Sequence, residues 1–510
     1  MEGPSNWWLI DFGLTGDGPV LFDFVKLELY LRMKVFTSHS NITPAQILSF
    51  EQALMDNPFG HLPNKSFQTA TIDKVMASIQ TIRRLARKYI IDDFFDYWRL
   101  LFTYAIAVGK YYPTEDKWEK AEKDTEGMVS LNQSGRQFFT ALGPALAVGK
   151  ILKWKMTSKQ EIKSNFQFLP LGTTLEPEKG KIGLDVGNRC VPGVIDHHTS
   201  KGEKDCTTSM IWKNPDLITK HARNMNPEDV IWVLHEHPDF DCISSFYLAW
   251  MRLKLGFFPP GSEQLQQYAY EVDAGAGFLE NVPFPERTPY SLFTFYLHEP
   301  LVDTNLQEYY IKRMKLGCEV MTYLCKQEVF GNHCMLENIV PQDHYFLKAN
   351  QETGRDIELF KKYDEKIGKK ILVKIQINGI KKEVKGLVLD SPRAHFYKAW
   401  VRKAGYQVLV VRWLPIDKPD HRIVISVPPV IRCGLKGLGK VLENEEEKKR
   451  AKTGKKRKGP KRWEDVSNND PWYDGRSPLH EFTIVDSPRM GTVLTIEEVV
   501  NIIQKKNWHQ

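Results

Sequence analysis

The chain has 510 residues, of which 42% are hydrophobic and 26% charged, and this composition excludes a mainly disordered protein. At roughly 150 residues per domain, the length predicts about three domains. No apolar run approaches the ~20 residues of a membrane span, and the first residues lack the basic and apolar regions of a secretory signal. We therefore expect a cytoplasmic protein without a membrane partner. The seven cysteines form no CxxC pair, which favours buried free thiols over disulfides or a zinc knuckle.

The positive charge of the chain is concentrated in one segment. Ten of the fifteen residues from Lys448 to Arg462 are Lys or Arg, and because the whole chain carries +7, the remainder carries −3. Such a segment attracts polyanions, including nucleic acid. A solvated loop, or pairing with the acidic residues 445–447, is the alternative.

Residues 1–115 are predicted to form a helical module. Apolar residues recur at helical spacing over 22–36, and three more amphipathic runs follow between about 42 and 112. The polar stretch 113–127 predicts a linker.

Residues 128–350 show short apolar runs that alternate with helical patterns. The runs IGLDVG, GVIDHH and VIWVLHEH each end in polar residues, whereas TTSMIWKNPDLITKHARNM and SSFYLAWMRLKLG are typical of helices. Strands alternating with helices predict a parallel sheet covered on both faces. Residues 355–510 are richer in strands (ILVKIQI, VKGLVLD, YQVLVVRWL, RIVISV, FTIVDS and GTVLT) and end in the helix IEEVVNIIQKK, which predicts a third, mixed α/β domain.

The strongest chemical signal is HEHPDFDCISS, which follows the apolar run VIWVL and contains His235, Asp239 and Asp241. Ligand sites of open α/β sheets lie at the carboxyl ends of strands. Alternate residues of an extended segment point the same way, so the two aspartates can face one cavity. An imidazole with two carboxylates suits manganese, magnesium or zinc. Ser244, where the next helical pattern begins, is expected to cap that helix.

Three further clusters of the same kind are predicted at strand ends. GVIDHH ends in Asp196, His197 and His198, IGLDVG contains Asp185, and YEVDAGAG contains Asp273. One such cluster alone is more often structural. Four of them within about ninety residues supply enough ligands for two metal ions.

These motifs resemble those of the DHH superfamily of phosphoesterases, which includes RecJ-type exonucleases, oligoribonucleases, cyclic-dinucleotide phosphodiesterases, exopolyphosphatases and manganese pyrophosphatases. HEHPDFD is similar to the family's His-x-x-Pro-Asp-x-Asp motif, Asp196-His197-His198 to its DHH triplet, and LDVG and VDAG to its remaining motifs. The resemblance implies a metal-dependent hydrolase with a parallel-sheet catalytic domain at 128–350 and a smaller α/β substrate-binding domain at 355–510.

The resemblance also implies roles for individual residues. Six would hold two Mn²⁺ ions, or Mg²⁺ in their place: His235 and Asp239 for one ion, Asp241, His197 and Asp273 for the other, and Asp185 as a bridge. His198 would contact the phosphate, and Asp196 would orient the imidazoles, so both are expected to be catalytic residues.

The order of the motifs differs from the usual family order, because Asp185 and the DHH triplet precede HEHPDFD. This order predicts a circular permutation of the catalytic domain. A parallel sheet accepts such a permutation, because the site depends on strand ends and not on chain order.

The segment NDPWYDGR in the third domain combines turn formers with groups that recognise phosphate and base. Arg476 is a fork-shaped phosphate donor, and Trp472 and Tyr473 could stack a base. With His480 nearby, these residues are predicted to bind substrate. A rigid turn stabilised by packing of the tryptophan is the alternative.

The segment around Asp11 resembles the metal-binding aspartate strand of aminoglycoside-phosphotransferase-like kinases, with the helix that follows it. A kinase also needs a glycine-rich loop, an anchoring lysine and a catalytic loop. Only ten residues precede Asp11, so those parts are missing. We expect a degenerate kinase-like module at 1–115 that could contact a protein partner, or the tail of a longer protein.

The expected function is therefore hydrolysis of phosphoester bonds in nucleic acid or oligonucleotides by a two-metal nuclease or phosphodiesterase. Two alternatives stay open: a small-molecule phosphatase or pyrophosphatase, and a nucleotide-sensing regulatory protein that keeps the fold. The complete set of ligand types favours the enzyme. The basic segment and the pair Trp472 and Tyr473 favour a nucleic acid or nucleotide as its substrate.

Overall fold

The computed structural model describes residues 21–38, 44–56, 58–60, 70–88, 95–109, 133–158, 162–170, 172–198, 204–223, 225–274, 287–297, 305–330, 332–377, 379–413, 421–457, 468–476, 480–505 and 508. Asp11, the predicted linker at 113–127 and the basic residues 458–462 lie outside these ranges. The chain divides into two compact units. The first comprises 1–161, 259–261 and 325–333, and the second comprises the rest.

The first unit contains the predicted N-terminal helices: α1 (Leu21–Ser38), α2 (Pro44–Asp56), α3 (Ala70–Arg87), α4 (Phe95–Gly109) and α5 (Gln133–Thr157). Their apolar residues recur every three or four positions, as on α3, where Ile72, Val75, Met76 and Ile79 are buried together. Helix α5 belongs to this unit, although the sequence pattern assigns residues from 128 onwards to the catalytic domain.

A fully buried ionic cluster joins the helices of the first unit. Glu28 of α1 accepts hydrogen bonds from Arg32, Arg83 and Tyr97, and Arg32 also pairs with Glu51 of α2. Each buried charge thereby has an opposite charge within hydrogen-bonding distance, which is the condition for keeping ions inside a protein.

The second unit contains two sheets, of which the first has the order β1-β5-β2-β4-β3. Its strands are β1 (Asn165–Leu169), β2 (Lys181–Leu184), β3 (Cys190–Val191), β4 (Val194–Ile195) and β5 (Ile231–His235). All neighbours pair in parallel except β3 and β4. The buried runs of β2, β4 and β5 are the three strands predicted from the sequence, and β1 is an addition to them.

The helices of this part of the chain are α6 (Thr207–Lys213), α7 (Asp216–Thr219), α8 (Phe240–Leu255), α9 (Ser262–Asp273), α10 (Pro289–Tyr296), α11 (Leu306–Val329) and α12 (His344–Leu359), and the last residues of α11, from Cys325 onwards, belong to the first unit. A π-helical turn at Phe360–Asp364 continues α12 into α13 (Glu365–Ile367). The cap of α8 is Asp239, whose carboxylate accepts the backbone N–H of Cys242. The prediction that Ser244 caps this helix is wrong, because Ser244 lies in its second turn and its hydroxyl donates to the carbonyl of Phe240.

The second sheet has the order β10-β9-β8-β7-β6. Its strands are β6 (Lys369–Ile377), β7 (Ile380–Asp390), β8 (Val408–Trp413), β9 (Arg422–Ser426) and β10 (Ile484–Asp486). Strands β7 and β8 are parallel, with α14 (Tyr397–Lys403) between them, and the other neighbours are antiparallel. Helices α15 (Leu438–Thr453) and α16 (Ile496–Lys505) contribute Leu442, Val499 and Ile503 to the core that covers this sheet.

The predicted α/β class is confirmed in its general form: the chain mixes helices with two sheets that contain parallel pairs. The prediction of a strand at GTVLT is wrong. This segment forms no strand, because Thr492 and Val493 instead donate to the buried carboxylate of Glu446. Among the described residues, none of the helices has the length and apolar character needed to cross a membrane.

Candidate metal centre

The carboxyl edge of the first sheet brings the predicted acids and imidazoles together. Asp185 directly follows β2, His197 lies two residues beyond β4, and His235 is the last residue of β5. The backbone N–H of Asp185 donates to the carbonyl of Ile195 at 2.9 Å, which ties the end of β2 to the end of β4. Asp185 has a φ of +58°, a left-handed conformation that aspartate tolerates better than most residues and that is common at functional sites.

Asp185 lies at the centre of the cluster. Its Oδ1 is 3.3 Å from Nε2 of His197 and 3.6 Å from Nδ1 of His198, and its Oδ2 is 3.2 Å from Nε2 of His235. Thr207 donates its hydroxyl to the same Oδ1 at 3.1 Å. One carboxylate therefore faces three imidazoles from two strand ends, which is the position that a bridging ligand would take.

A second group of possible ligands adjoins the first. His197, Asp241 and Asp273 each offer an atom, and these atoms lie within 4.8 Å of one another. Asp241 is held by the backbone N–H groups of Thr207 and Thr208, at 2.8 and 3.0 Å. Because each carboxylate oxygen has two lone pairs, these bonds leave Asp241 able to bind a cation.

Asp273 joins this cluster from a helix, although the sequence pattern places it at a strand end. It is the last residue of α9, and its Oδ2 lies 3.5 Å from Nε2 of His197. The prediction of a strand in YEVDAGAG is wrong, because YEVD is the end of that helix. The residues AGAG beyond it are described only at Ala274.

Two buried polar atoms in the cluster have no hydrogen-bond partner: Nε2 of His197 and Oδ2 of Asp273. They lie 3.5 Å apart and form no hydrogen bond with each other. An unpaired buried nitrogen and carboxylate oxygen are costly unless a cation lies between them. The donor set therefore fits a divalent cation, which neutral imidazoles and carboxylates bind well.

The hydrogen bonding of His235 leads to the same inference. Its Nδ1 lies 2.7 Å from the backbone carbonyl of Glu236, so Nδ1 carries the proton and donates. Its Nε2 then faces Oδ2 of Asp185 with a lone pair, unless a proton or a metal ion lies between them. A backbone carbonyl that fixes the tautomer in this way is common for metal-binding histidines.

Asp239 belongs to the cluster but differs from its neighbours in exposure. Its Oδ1 is 3.8 Å from Nε2 of His235, and its side chain is 58% exposed, whereas that of Asp185 is 2% exposed. Asp239 therefore lies where the cluster opens to solvent.

Both carboxylate oxygens of Asp196 accept hydrogen bonds from other groups of the protein. Its Oδ2 accepts the backbone N–H of Asn188, and its Oδ1 accepts the backbone N–H of His198 and lies 2.8 Å from Nδ1 of that ring. The carboxylate thus orients His198, the role that the family resemblance implies for it, while one third of the His198 side chain stays exposed.

The pKa values of the cluster are shifted because four carboxylates and three imidazoles lie close together. Burial alone would raise the pKa of Asp185, but His197 and His235 outweigh it and hold this pKa well below its usual range. Burial, reinforced by the carboxylates of Asp241 and Asp185, raises the pKa of Asp273 well above its usual range. The carboxylates repel one another in this way until a cation compensates them.

The predicted substrate-binding residues of the third domain have mixed outcomes. Trp472 is only 2% exposed and its indole N–H donates to Glu446, so the prediction that it stacks a base is wrong. Arg476 forms an ion pair with Asp474 at 2.8 Å. The hydroxyl of Tyr473 lies 2.8 Å from Nδ1 of His480.

His480 lies close enough to the cluster to be affected by its charge. Burial, together with the positive charges of His197, His198 and Lys398, lowers the pKa of His480 to about 3. His480 is therefore a neutral imidazole at neutral pH.

Two basic residues near the cluster were not selected from the sequence. Lys398 of α14 interacts electrostatically with Asp239, and desolvation lowers its pKa. The guanidinium of Arg489 fills the space that a Cβ on Gly172 would occupy, and the carbonyl of Gly172 accepts a hydrogen bond from Asn188 beside Asp196. Arg489 is the third residue of a Ser-Pro-Arg sequence that directly follows β10, and Lys398 lies five residues after a second Ser-Pro-Arg sequence that directly follows β7.

Four of the seven basic residues that the structure describes in the segment 448–462 form ion pairs with acidic residues. Lys448, Lys449, Arg450 and Arg457 pair with glutamates of α15 and α16. Arg450 is also buried, and it donates to the carbonyl of Gly491. Lys452 and Lys456 are exposed. Pairing with nearby acids, the alternative considered from the sequence, therefore applies to these four paired residues.

Comparison of the chain with family models, with curated proteins and with solved structures finds no match.

Proposed function

We propose that this chain is a two-metal phosphoester hydrolase with a catalytic centre of the DHH type. The observation that carries the proposal is the unpaired Nε2 of His197 facing the unpaired Oδ2 of Asp273, beside an aspartate that three imidazoles share. Burying the charges of such a cluster without a cation is unfavourable, so stabilisation of the fold does not explain why they are there.

The proposal includes the permuted order of motifs. The end of β2, the end of β4 and the end of β5 are adjacent because the strands are neighbours in the sheet, in the order β5-β2-β4. Their positions along the chain do not matter for this adjacency. The order in which Asp185, His197 and His235 occur is thus compatible with a DHH-type centre.

Two divalent cations held by such residues supply Lewis-acid stabilisation of charge on a phosphoryl oxygen and lower the pKa of water. Asp196 holds His198 by two hydrogen bonds, so that this ring is oriented for contact with a phosphate oxygen. Lys398, whose charge interacts with that of Asp239, would neutralise a second phosphate oxygen on the open side of the centre.

The exposed lysines of the basic segment favour oligonucleotides or nucleic acid as the substrate, because polyanions bind such lysines by counterion release. A small phosphorylated molecule or pyrophosphate is the second candidate. The observation that favours it is the burial of Trp472 together with the ion pairs of Arg450 and Arg457, which remove a base-stacking surface and part of the positive charge.

The deciding experiment is a hydrolysis assay with Mn²⁺ and with Mg²⁺. The substrates are labelled single-stranded DNA and RNA, dinucleotides, cyclic dinucleotides and pyrophosphate, and His197→Ala serves as the inactive reference. Metal-dependent cleavage that His197→Ala abolishes supports the proposal. Tight binding of a nucleotide with no turnover of any substrate would instead favour a regulatory protein.

A further inference from the structure

Cys242 lies among the residues of the proposed metal centre. It is the third residue of α8, and its backbone N–H donates to Oδ1 of Asp239 at 3.0 Å. Its side chain is fully buried, and its Sγ lies within 4.8 Å of a carboxylate oxygen of Asp185 and of a ring nitrogen of His235. The sulfur therefore has two of the proposed metal ligands as neighbours.

Other buried cysteines of the second unit have different surroundings. The thiol of Cys206 donates to the hydroxyl of Ser209, and Cys318 lies on α11 among apolar residues of the core. Of the cysteines in the described residues, Cys242 alone belongs to a group of possible metal ligands. Its place in the first turn of α8 is fixed by the same carboxylate, Asp239, that faces the cluster.

The adjoining group supplies an independent sign that a cation binds here. His197, which is 2% exposed, directs its unpaired Nε2 at the same Asp185 that Cys242 approaches. The cluster therefore needs positive charge on both sides of Asp185. The two sides differ in their donors: nitrogen and oxygen near Asp273, and nitrogen, oxygen and sulfur near His235.

We propose that Cys242 is a metal ligand, and that it makes the two metal positions chemically different; this inference rests on the proposed function. The position formed by Asp185, His235, Asp239 and Cys242 would prefer a thiophilic ion such as Zn²⁺, Fe²⁺ or Co²⁺. The position formed by Asp185, His197, Asp241 and Asp273 has only imidazole and carboxylate donors and would accept Mn²⁺ or Mg²⁺. Sulfur ligands select softer ions in this manner, whereas carboxylates suit hard ones.

Cobalt is the probe that distinguishes a sulfur ligand from a sulfur that only packs nearby. The full-length protein, freed of metal by a chelator, is titrated with Co²⁺. Binding is counted by metal analysis, and a thiolate-to-cobalt charge-transfer band is followed in the near ultraviolet. We expect the wild type to show this band and Cys242→Ser and Cys242→Ala to lose it. Cys318→Ala, which removes a buried thiol outside the cluster, should keep it.

Competition experiments give the second measurement. Cys242→Ser should weaken Zn²⁺ binding at least about tenfold, since even residues that only support metal ligands contribute ten- to hundredfold to affinity. Its Mn²⁺ affinity should stay within about threefold of wild type, because manganese gains little from sulfur. Serine occupies nearly the same volume as cysteine, and circular dichroism checks that the variant is folded.

The outcomes separate the two proposals. Cobalt bound to the wild type without a charge-transfer band, or a band that persists in Cys242→Ser, overturns the role of Cys242 and leaves the hydrolase proposal standing. Wild type that binds no more cobalt than Asp185→Asn overturns the metal centre itself, and the inference about Cys242 with it.

Discussion

Nε2 of His197 and Oδ2 of Asp273 lie 3.5 Å apart, both are buried, and neither makes a hydrogen bond. His197 follows a strand of the first sheet, whereas Asp273 ends a helix 76 residues later. Leaving one such atom unpaired costs about 1–3 kcal/mol, so the pair destabilises the fold in the absence of a cation. Metal binding and folding stability should consequently be linked.

Asp185→Asn is the most direct test of this linkage. Asparagine also tolerates a left-handed backbone, so the substitution removes the charge of the central carboxylate without straining the turn. We expect wild type to gain stability with increasing Mn²⁺ or Zn²⁺ and the variant to gain little. Melting curves at several metal concentrations measure the difference.

The control for that experiment is Asp216→Asn, an exposed aspartate on α7 outside the cluster. It should keep the metal-dependent rise in melting temperature. Equal stabilisation of Asp185→Asn and wild type by metal would show that Asp185 holds no ion.

Lys398 should contribute more to substrate binding than Arg476. Lys398 interacts with Asp239 at the open side of the cluster, whereas Arg476 already forms an ion pair with Asp474. Loss of a charged hydrogen bond costs about 1.5–3 kcal/mol, so Lys398→Ala should lower kcat/KM roughly ten- to hundredfold. Arg476→Ala should lower it by less than about threefold.

The bound metal distinguishes a substrate contact from damage to the centre. Lys398→Ala should bind as much Mn²⁺ as wild type, and Lys398→Arg should recover part of the activity. If Arg476→Ala proves the more damaging substitution, the turn that contains Trp472 and Tyr473 acts on substrate after all.

The exposed lysines of the basic segment should affect long polyanions only. Replacing Lys452 and Lys456 by glutamine should weaken binding of long single-stranded nucleic acid. The slope of log affinity against log salt should fall by up to about 1.4, at ~0.7 per phosphate contact. Cleavage of a dinucleotide should be unchanged, because a dinucleotide carries too few phosphates to gain much affinity from counterion release.

Glutamine at Lys448 and Lys449 is the matched control, since both lysines already pair with Glu445 and Glu498. It should change the salt slope less than the first set does. If replacing Lys452 and Lys456 leaves the salt slope unchanged, a small phosphorylated molecule becomes the better candidate for the substrate.

Glu28 should make the first unit sensitive to acid. Burial works to raise its pKa, but Arg83 and Arg32 overcome this and lower the pKa from 4.5 to about 2. An acid with a depressed pKa contributes stability that is complete above about pH 4.5 and is lost as the pH falls towards 2, here about 3 kcal/mol. Hydrogen exchange of α1 and α3 between pH 5 and pH 3 should show this loss.

Glu28→Gln tests the same cluster at neutral pH. It leaves Arg32 and Arg83 without the carboxylate that both contact, so we expect the first unit to lose about 3–5 kcal/mol of stability. Asp73→Asn on α3, a partly exposed position, should have little effect. A glutamine variant as stable as wild type and with unchanged acid sensitivity would contradict this account.

The sequence by itself was enough to locate strand ends and the chemistry that they carry. Asp185, His197 and His235 each follow a short apolar run, and parallel strands of one sheet direct their carboxyl ends to one edge. The helices of the first unit were predictable for a similar reason, because a periodicity of about 3.6 residues is a local property. Both predictions depend on neighbours along the chain.

Contacts between distant segments explain why some predictions were wrong and why some residues of the cluster were not selected from the sequence. Trp472 is in a turn-rich segment that suggests exposure, but Glu446 of α15 binds its indole and the second core buries it. Asp273 reaches the cluster from the end of a helix, and Cys242 seemed an ordinary buried thiol until α8 placed it beside His235. Periodicity and spacing cannot predict such positions, because they depend on which surfaces of separate elements pack together, and that packing is determined by the whole chain.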